Sequence, residues 1–183
     1  PCYVYATNTI RARYQQLEMA FAGVPHHIHF AMKANSSLAI LRLLQELGAG
    51  VDIVSGGELF RAHEAGFGGA DIVFSGVGKT VREIEQALDE HVLLINVESE
   101  AELLTIEAVA AARDVIAPIA IRVNPEVTVE TPHAYIKTGE KGQKFGIPRD
   151  DVERIAALAG SLPHVVLKGL GMHLGSQIAN ADP

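Results

Sequence analysis

Short apolar runs alternate along this chain with longer stretches in which apolar residues recur at helical spacing. The runs near 28–33, 51–55, 71–75, 93–98, 119–124 and 165–173 read as strands. The stretches near 8–22, 37–47, 57–65, 81–89, 100–113 and 150–160 read as helices. Leu38, Leu41 and Leu44 form one helical stripe, and Gly48 stops it. Thr80-x-x-Glu83 and Ser99-x-x-Glu102 both have the capping-box spacing, in which each side chain satisfies a free helix-end donor. Strands such as Ile119-Ala120-Ile121 are apolar on both faces, as in a parallel sheet covered by helices. Consecutive strand–helix steps of this kind predict an α/β protein, either a doubly wound sheet or a (β/α)8 barrel.

The polar residues choose between the two. They fall at the C-terminal ends of the strands: Lys33 and Asn35, Ser55 to Glu58, Ser75 to Gly78, Asn96 and Glu98, Arg122 and Asn124, then His173 and Ser176. In a barrel these ends converge on one face around the axis, and that face carries the active site. In an open sheet they spread along an edge, with only the switch point useful. The repeated pattern favours the barrel, and convergent lysine, arginine, histidine and serine suit an anionic ligand with a carbonyl. Lys33 closes the run Ile28-His29-Phe30-Ala31-Met32-Lys33 just where a strand gives way to a helix. Desolvation there would lower its pKa, and a neutral amine forms an imine with a carbonyl. The plainer reading is a lysine that snorkels off a strand end.

Composition narrows the class. The 183 residues are 48% hydrophobic, enough to bury a core as a single domain. A net charge of −7 argues against a nucleic-acid or acidic-membrane surface. Cys2 is the single cysteine, so no internal disulfide and no cysteine-based zinc site can form, which fits a reducing cytoplasm. No stretch approaches the roughly 18 apolar residues of a membrane span. His27 and His29 share a strand face without an evident third ligand, so with His26 they read as structural or exposed, and no metal is expected. Pro125 to Lys144 is long for a loop inside a compact domain and reads as a flexible lid.

Five motifs occur in order: Phe30-Ala31-Met32-Lys33-Ala34-Asn35, Val51-Asp52-Ile53-Val54-Ser55-Gly56-Gly57-Glu58-Leu59, Arg122-Val123-Asn124-Pro125, Lys144-Phe145-Gly146 and His173-Leu174-Gly175-Ser176-Gln177. The set closely resembles the pyridoxal-phosphate decarboxylases of the alanine-racemase-like barrel fold, over essentially the whole chain. The segment His133–Gly146 and the ending at Gln177 lean toward the diaminopimelate branch. The resemblance implies that residues 1–183 form a pyridoxal-phosphate-binding (β/α) barrel domain, present through about the sixth strand. The later strands and the family's C-terminal β domain are expected beyond it. The chain opens on Pro1 rather than Met, in keeping with a portion of a longer protein, and the portion alone is expected to be inactive.

By the same resemblance Lys33 carries the cofactor as an imine and helps return a proton, and His173 stacks on the cofactor ring. Gly175 and Ser176 help hold its phosphate, and Arg122 and Asp52 lie near the ring. Other readings stand beside these: a hydrogen-bonded core histidine for His173, a strand-to-loop turn for Ser176, an ion pair with Glu98 or Asp52 for Arg122, and a helix-start glutamate for Glu58. The implied reaction is decarboxylation of meso-2,6-diaminopimelate to L-lysine and CO2 by a cytoplasmic homodimer. The alternatives are a pyridoxal-phosphate carrier without turnover, a decarboxylase of lysine, ornithine or carboxynorspermidine, and a lysine-imine aldolase on an unrelated barrel.

Overall fold

The computed structural model describes residues 1–126 and 145–176. Gln177 and, beyond Glu126, the segment expected to form a lid lie outside the described residues. The chain runs α1 (Thr7–Phe21), β1 (His29–Ala31), α2 (Leu38–Glu46), β2 (Gly50–Ile53), α3 (Gly56–Ala65), β3 (Ile72–Phe74) and α4 (Val81–Asp89). It continues with β4 (Leu94–Val97), α5 (Glu100–Arg113), β5 (Ala117–Asn124), β6 (Ile147–Pro148), α6 (Val152–Ser161) and β7 (Val165–Met172). Every element expected from the pattern is present within a few residues of its expected bounds. Strand β6 is an addition, because two residues carry no periodicity to detect.

All strand pairs are parallel, and the order follows the chain from β1 to β5, with β7 on the far side of β5. A doubly wound sheet reverses its strand order at a switch point. Among the described residues no reversal occurs, so the sheet is the arc of a barrel. Strand β4 pairs with Ile119 to Ile121 of β5, and β6 takes over at Val123 and Asn124 on that same side. Among the described residues β1 and β7 are each paired along one side only.

The register sorts side chains into two faces. Val51, Ile53, Ile72, Phe74, Ile95 and Ile121 are fully buried beneath the helices. Asp52, Val73, Asn96 and Arg122 point to the opposite, inner face and are only half-buried. The α2 stripe is shared between cores: Leu41 joins the main one, while Leu44 packs with Tyr14, Ile40 and Ala49 beneath α1.

Helix starts decide where the loops on the C-terminal face sit. The α4 box closes as expected, with the Thr80 N–H donating to Glu83 Oε2 at 3.0 Å and the Glu83 N–H to Thr80 Oγ1 at 3.3 Å. At α5 only half of the expected box forms. Ser99 Oγ accepts from the Glu102 N–H at 3.2 Å, but the Glu102 carboxylate accepts from the Glu98 N–H at 2.7 Å instead. The start of α3 repeats this variant, with Glu58 Oε2 accepting from the Val54 N–H at 2.7 Å. Among the described residues no helix is long and apolar enough to cross a membrane.

Candidate active site at the C-terminal face of the barrel arc

Strand β1 ends at Ala31 and tightens into a single 3-10 turn, Met32–Ala34. Met32 is buried in the main core, and the turn leaves Lys33 exposed at the mouth of the arc. The desolvation expected of Lys33 is therefore not supplied by the described residues, because the turn lifts it clear of the strand. Asn35 Oδ1 then accepts from the Ser37 N–H at 3.0 Å, closing the turn that launches α2.

Across the inner face from Lys33, three successive strand ends are linked. Asn96 Nδ2 donates to Ser75 Oγ at 2.8 Å, and the Ser75 hydroxyl donates to Asp52 Oδ1. Burial raises the Asp52 carboxyl above its ordinary value, opposed by the Ser75 hydrogen bond and by the charges of Lys33, His29 and Arg122. Lys79 lies below this row with its side chain only 1% exposed. Its ammonium donates to the Gly76 and Asn96 carbonyls, both at 2.7 Å, and to Glu102 Oε1 at 3.1 Å. Three donors meet three acceptors, which is what a buried ammonium requires.

Arg122 lies on β5, where its Nη1 donates to Glu98 Oε1 at 2.6 Å and its guanidinium sits 5.0 Å from the centre of the Phe145 ring. Glu98 Oε2 also accepts from the Gly146 N–H at 2.9 Å. Gly146 has φ +76°, and an added Cβ would lie 2.9 Å from Asn124 N and 3.1 Å from the Arg122 carbonyl. Both the dihedral and the space require glycine. The motif pieces Arg122-Val123-Asn124 and Phe145-Gly146 are thus packed against each other, with Glu98 as the joint. The ion-pair reading of Arg122 is realised, with Glu98 as the partner.

His173 follows β7. Burial lowers its pKa first, then the positive charges of Lys33 and Arg122, against the opposing charges of Asp52 and Glu98. The fold therefore brings Lys33, Asp52, Arg122 and His173 into one electrostatic neighbourhood, although they come from four separate elements. Gly175 and Ser176 lie just past His173 at the same end of the sheet. Glu58 is taken up by the start of α3, as the helix-start reading has it. The three clustered histidines engage backbone carbonyls: His26 that of Val24, His27 that of Gly48 and His29 that of Val51. Among the described residues no group of three or more acidic, histidine or cysteine side chains could hold a metal ion.

Sequence reasoning placed Ser75, Asn96 and Glu98 on the strand-end face, with Glu98 as one possible partner of Arg122 and no individual role for Ser75 or Asn96. It missed Lys79 there altogether, and quoted Phe145 in a motif without a role. The one signal for Lys79 is its position in a glycine-flanked turn ahead of the α4 cap.

This constellation has an independent counterpart. A family profile described as the pyridoxal-binding domain of pyridoxal-dependent decarboxylases matches residues 7–183. The chain belongs to that family. Among other decarboxylases it is 48% identical over 183 residues to the diaminopimelate decarboxylase of Pseudomonas aeruginosa, covering 100% of this chain and 44% of that protein. The crystal structure of diaminopimelate decarboxylase from Helicobacter pylori complexed with L-lysine superposes with a TM-score of 0.95 at 41% identity, covering 98% of this chain and 45% of that one. The enzyme from M. jannaschii, also in complex with L-lysine, gives 0.87 at 34% identity over 96% of this chain and 42% of its own. The chain thus spans less than half the length of the decarboxylases it matches, and the arc of strands corresponds to their N-terminal barrel portion.

The residues at the mouth fit the family's cofactor by their chemistry. An exposed primary amine can bond an aldehyde carbon, Arg122 and Lys33 offset the charge of an anionic ligand, and a half-buried imidazole offers a flat face to a heteroaromatic ring.

Proposed function

We propose that the protein to which this domain belongs decarboxylates an amino acid with pyridoxal phosphate, and that its substrate is meso-2,6-diaminopimelate, giving L-lysine and CO2. The observation that carries this is the exposed amine of Lys33 at the C-terminal mouth of a parallel barrel arc, electrostatically coupled to His173 and Asp52. The substrate is inferred from relatives at 41–48% identity named diaminopimelate decarboxylase.

When bound, the pyridoxal group supplies an electron sink for the pair left behind as CO2 departs. In this reading Lys33 Nζ would hold the cofactor at its aldehyde carbon, the aldehyde oxygen leaving as water, and, once the substrate's amine had taken that place, would return a proton to the substrate carbon. His173, whose pKa is lowered by burial and by the charges of Lys33 and Arg122, would face the ring. Arg122, held by Glu98, and Asp52, held by Ser75, set the field around the ring. Gly175 and Ser176 contribute a backbone amide and a hydroxyl to the phosphate. The reading includes a homodimer in the cytoplasm, which sedimentation and fractionation would check, and no nucleic-acid or membrane partner. It assigns the rest of the barrel and a C-terminal β domain to the part of the relatives that this chain does not span, so the 183 residues alone are expected not to turn over.

The test is borohydride reduction of the cofactor-supplemented full-length protein, followed by peptide mapping and by assay of CO2 release from meso-diaminopimelate. A pyridoxyl group on Lys33, absent from Lys33→Ala, supports the cofactor role. A folded protein without that adduct would sink it. Labelled protein that releases no CO2 from meso-diaminopimelate would overturn the choice of substrate.

A further inference from the structure

Asp52 is a carboxylate of the inner face, and the hydrogen bond that orients it comes from the neighbouring strand end. An asparagine Nδ2 can only donate, and a serine hydroxyl has one proton to give. With Asn96 Nδ2 donating to Ser75 Oγ, the Ser75 proton is free to point at Asp52 Oδ1, and it does. The direction of the chain of bonds is therefore set at its far end, and its last acceptor is best satisfied by an ionised carboxylate.

The backbone beneath both donors is held by one group. The buried Lys79 ammonium bonds the carbonyl of Asn96 itself and that of Gly76, the neighbour of Ser75. Glu102 completes the set from the start of α5. A lysine buried to this degree serves the neighbouring loop and strand end alike. It fixes the separation of the two residues whose side chains meet.

We propose that Asn96 and Ser75 are positioning residues that form a one-way hydrogen-bond relay aiming the Asp52 carboxylate into the cofactor site, with Lys79 clamping the backbone beside both. The inference rests on the reading of this mouth as the cofactor site. It adds to that reading a hydrogen bond that opposes the protonation which burial of this carboxylate favours. The charged groups that face Asp52 are Lys33 and His29 from β1 and its turn, Arg122 from β5 and His173 beyond β7. All four remain whatever happens to the relay, so its contribution is measured by difference.

The experiment follows the Asp52 carboxyl carbon by NMR across pH in the full-length, cofactor-free protein, together with the Asn96 side-chain amide. The Asn96 amide is expected to titrate with the Asp52 midpoint in the unaltered protein and to lose that response in Ser75→Ala. Ser75→Ala is expected to raise the Asp52 midpoint by about one unit, a tenfold gain in proton affinity, and Ser75→Thr to restore it. Asn96→Ala is expected to move the midpoint the same way by less. Should Asn96→Ala fail to fold, Ser75→Ala removes a single oxygen and keeps the question open to an answer. In cofactor-loaded protein the pH midpoint of the bound cofactor's absorbance is expected to move with Ser75→Ala and return with Ser75→Thr. An Asp52 midpoint indifferent to Ser75→Ala, or an Asn96 amide blind to Asp52, overturns the relay. Absence of a pyridoxyl adduct on Lys33 with the relay intact would instead remove the cofactor reading.

Discussion

Glu98 and Arg122 form an ion pair 2.6 Å long whose side chains are 3% and 13% exposed. The pair joins the end of β4 to β5, and the second oxygen of Glu98 reaches the backbone of Gly146. Removing one charge leaves the other buried without its partner, which is costlier than losing both.

Glu98→Ala is therefore expected to lower unfolding free energy by about 3 kcal/mol. Combining it with Arg122→Met should recover part of that loss. Urea denaturation of the two variants and the double variant measures this, and additive losses would refute the pairing.

Lys79→Met removes the donor to two carbonyls and a carboxylate at once, at a side chain only 1% exposed. A loss of about 3–5 kcal/mol is expected, with little relief from Lys79→Arg, whose planar fork does not match three convergent acceptors. Thermal unfolding decides; a near-neutral Lys79→Arg would show that charge alone suffices.

Two glycines should respond in opposite directions to alanine. Gly146→Ala forces a left-handed dihedral and a Cβ against the β5 backbone, for an expected loss of about 2 kcal/mol or more. Gly160→Ala, within α6 and with nothing within 4 Å of the new Cβ, should gain about 0.5–1 kcal/mol. Chemical denaturation under matched conditions compares them.

His29 gives a pH dependence. Burial first, and His27 secondarily, lower its pKa below the ordinary 6.5. The unfolded chain therefore takes up the proton before the folded one, so this contribution is complete above pH 6.5 and is lost as pH falls through that value toward the lowered one. Between about pH 7.5 and about pH 5.5, His29→Gln should lose less stability than the unaltered protein. Equal losses in both would show that His29 does not carry the effect.

Much of this was legible in the chain before any coordinates. Strands and helices announced themselves by period, because a buried sheet face and a helix stripe each leave a regular apolar trace. The placement of Lys33, Arg122 and His173 at strand ends was visible because parallel strands must all present the same end to the same face, whereas Asp52 entered through the resemblance alone. The part of Lys79 was not visible, and Glu102, expected to close a box on Ser99, turns to the Glu98 N–H instead. Two of the three acceptors of Lys79 lie 17 and 23 residues away in sequence, on Asn96 and Glu102. No local pattern records such a distance.

The sequence by itself determined the alternation of elements, the polar rim and the family motifs, since these follow from local periodicity and residue type. Only the tertiary structure decided that the strands run in unreversed order as a barrel arc, that Arg122 answers to Glu98, and that Asp52 is held through Ser75 by Asn96. Strand neighbours are chosen by packing across the whole sheet, and a hydrogen bond between strand ends exists only once that choice has set their spacing.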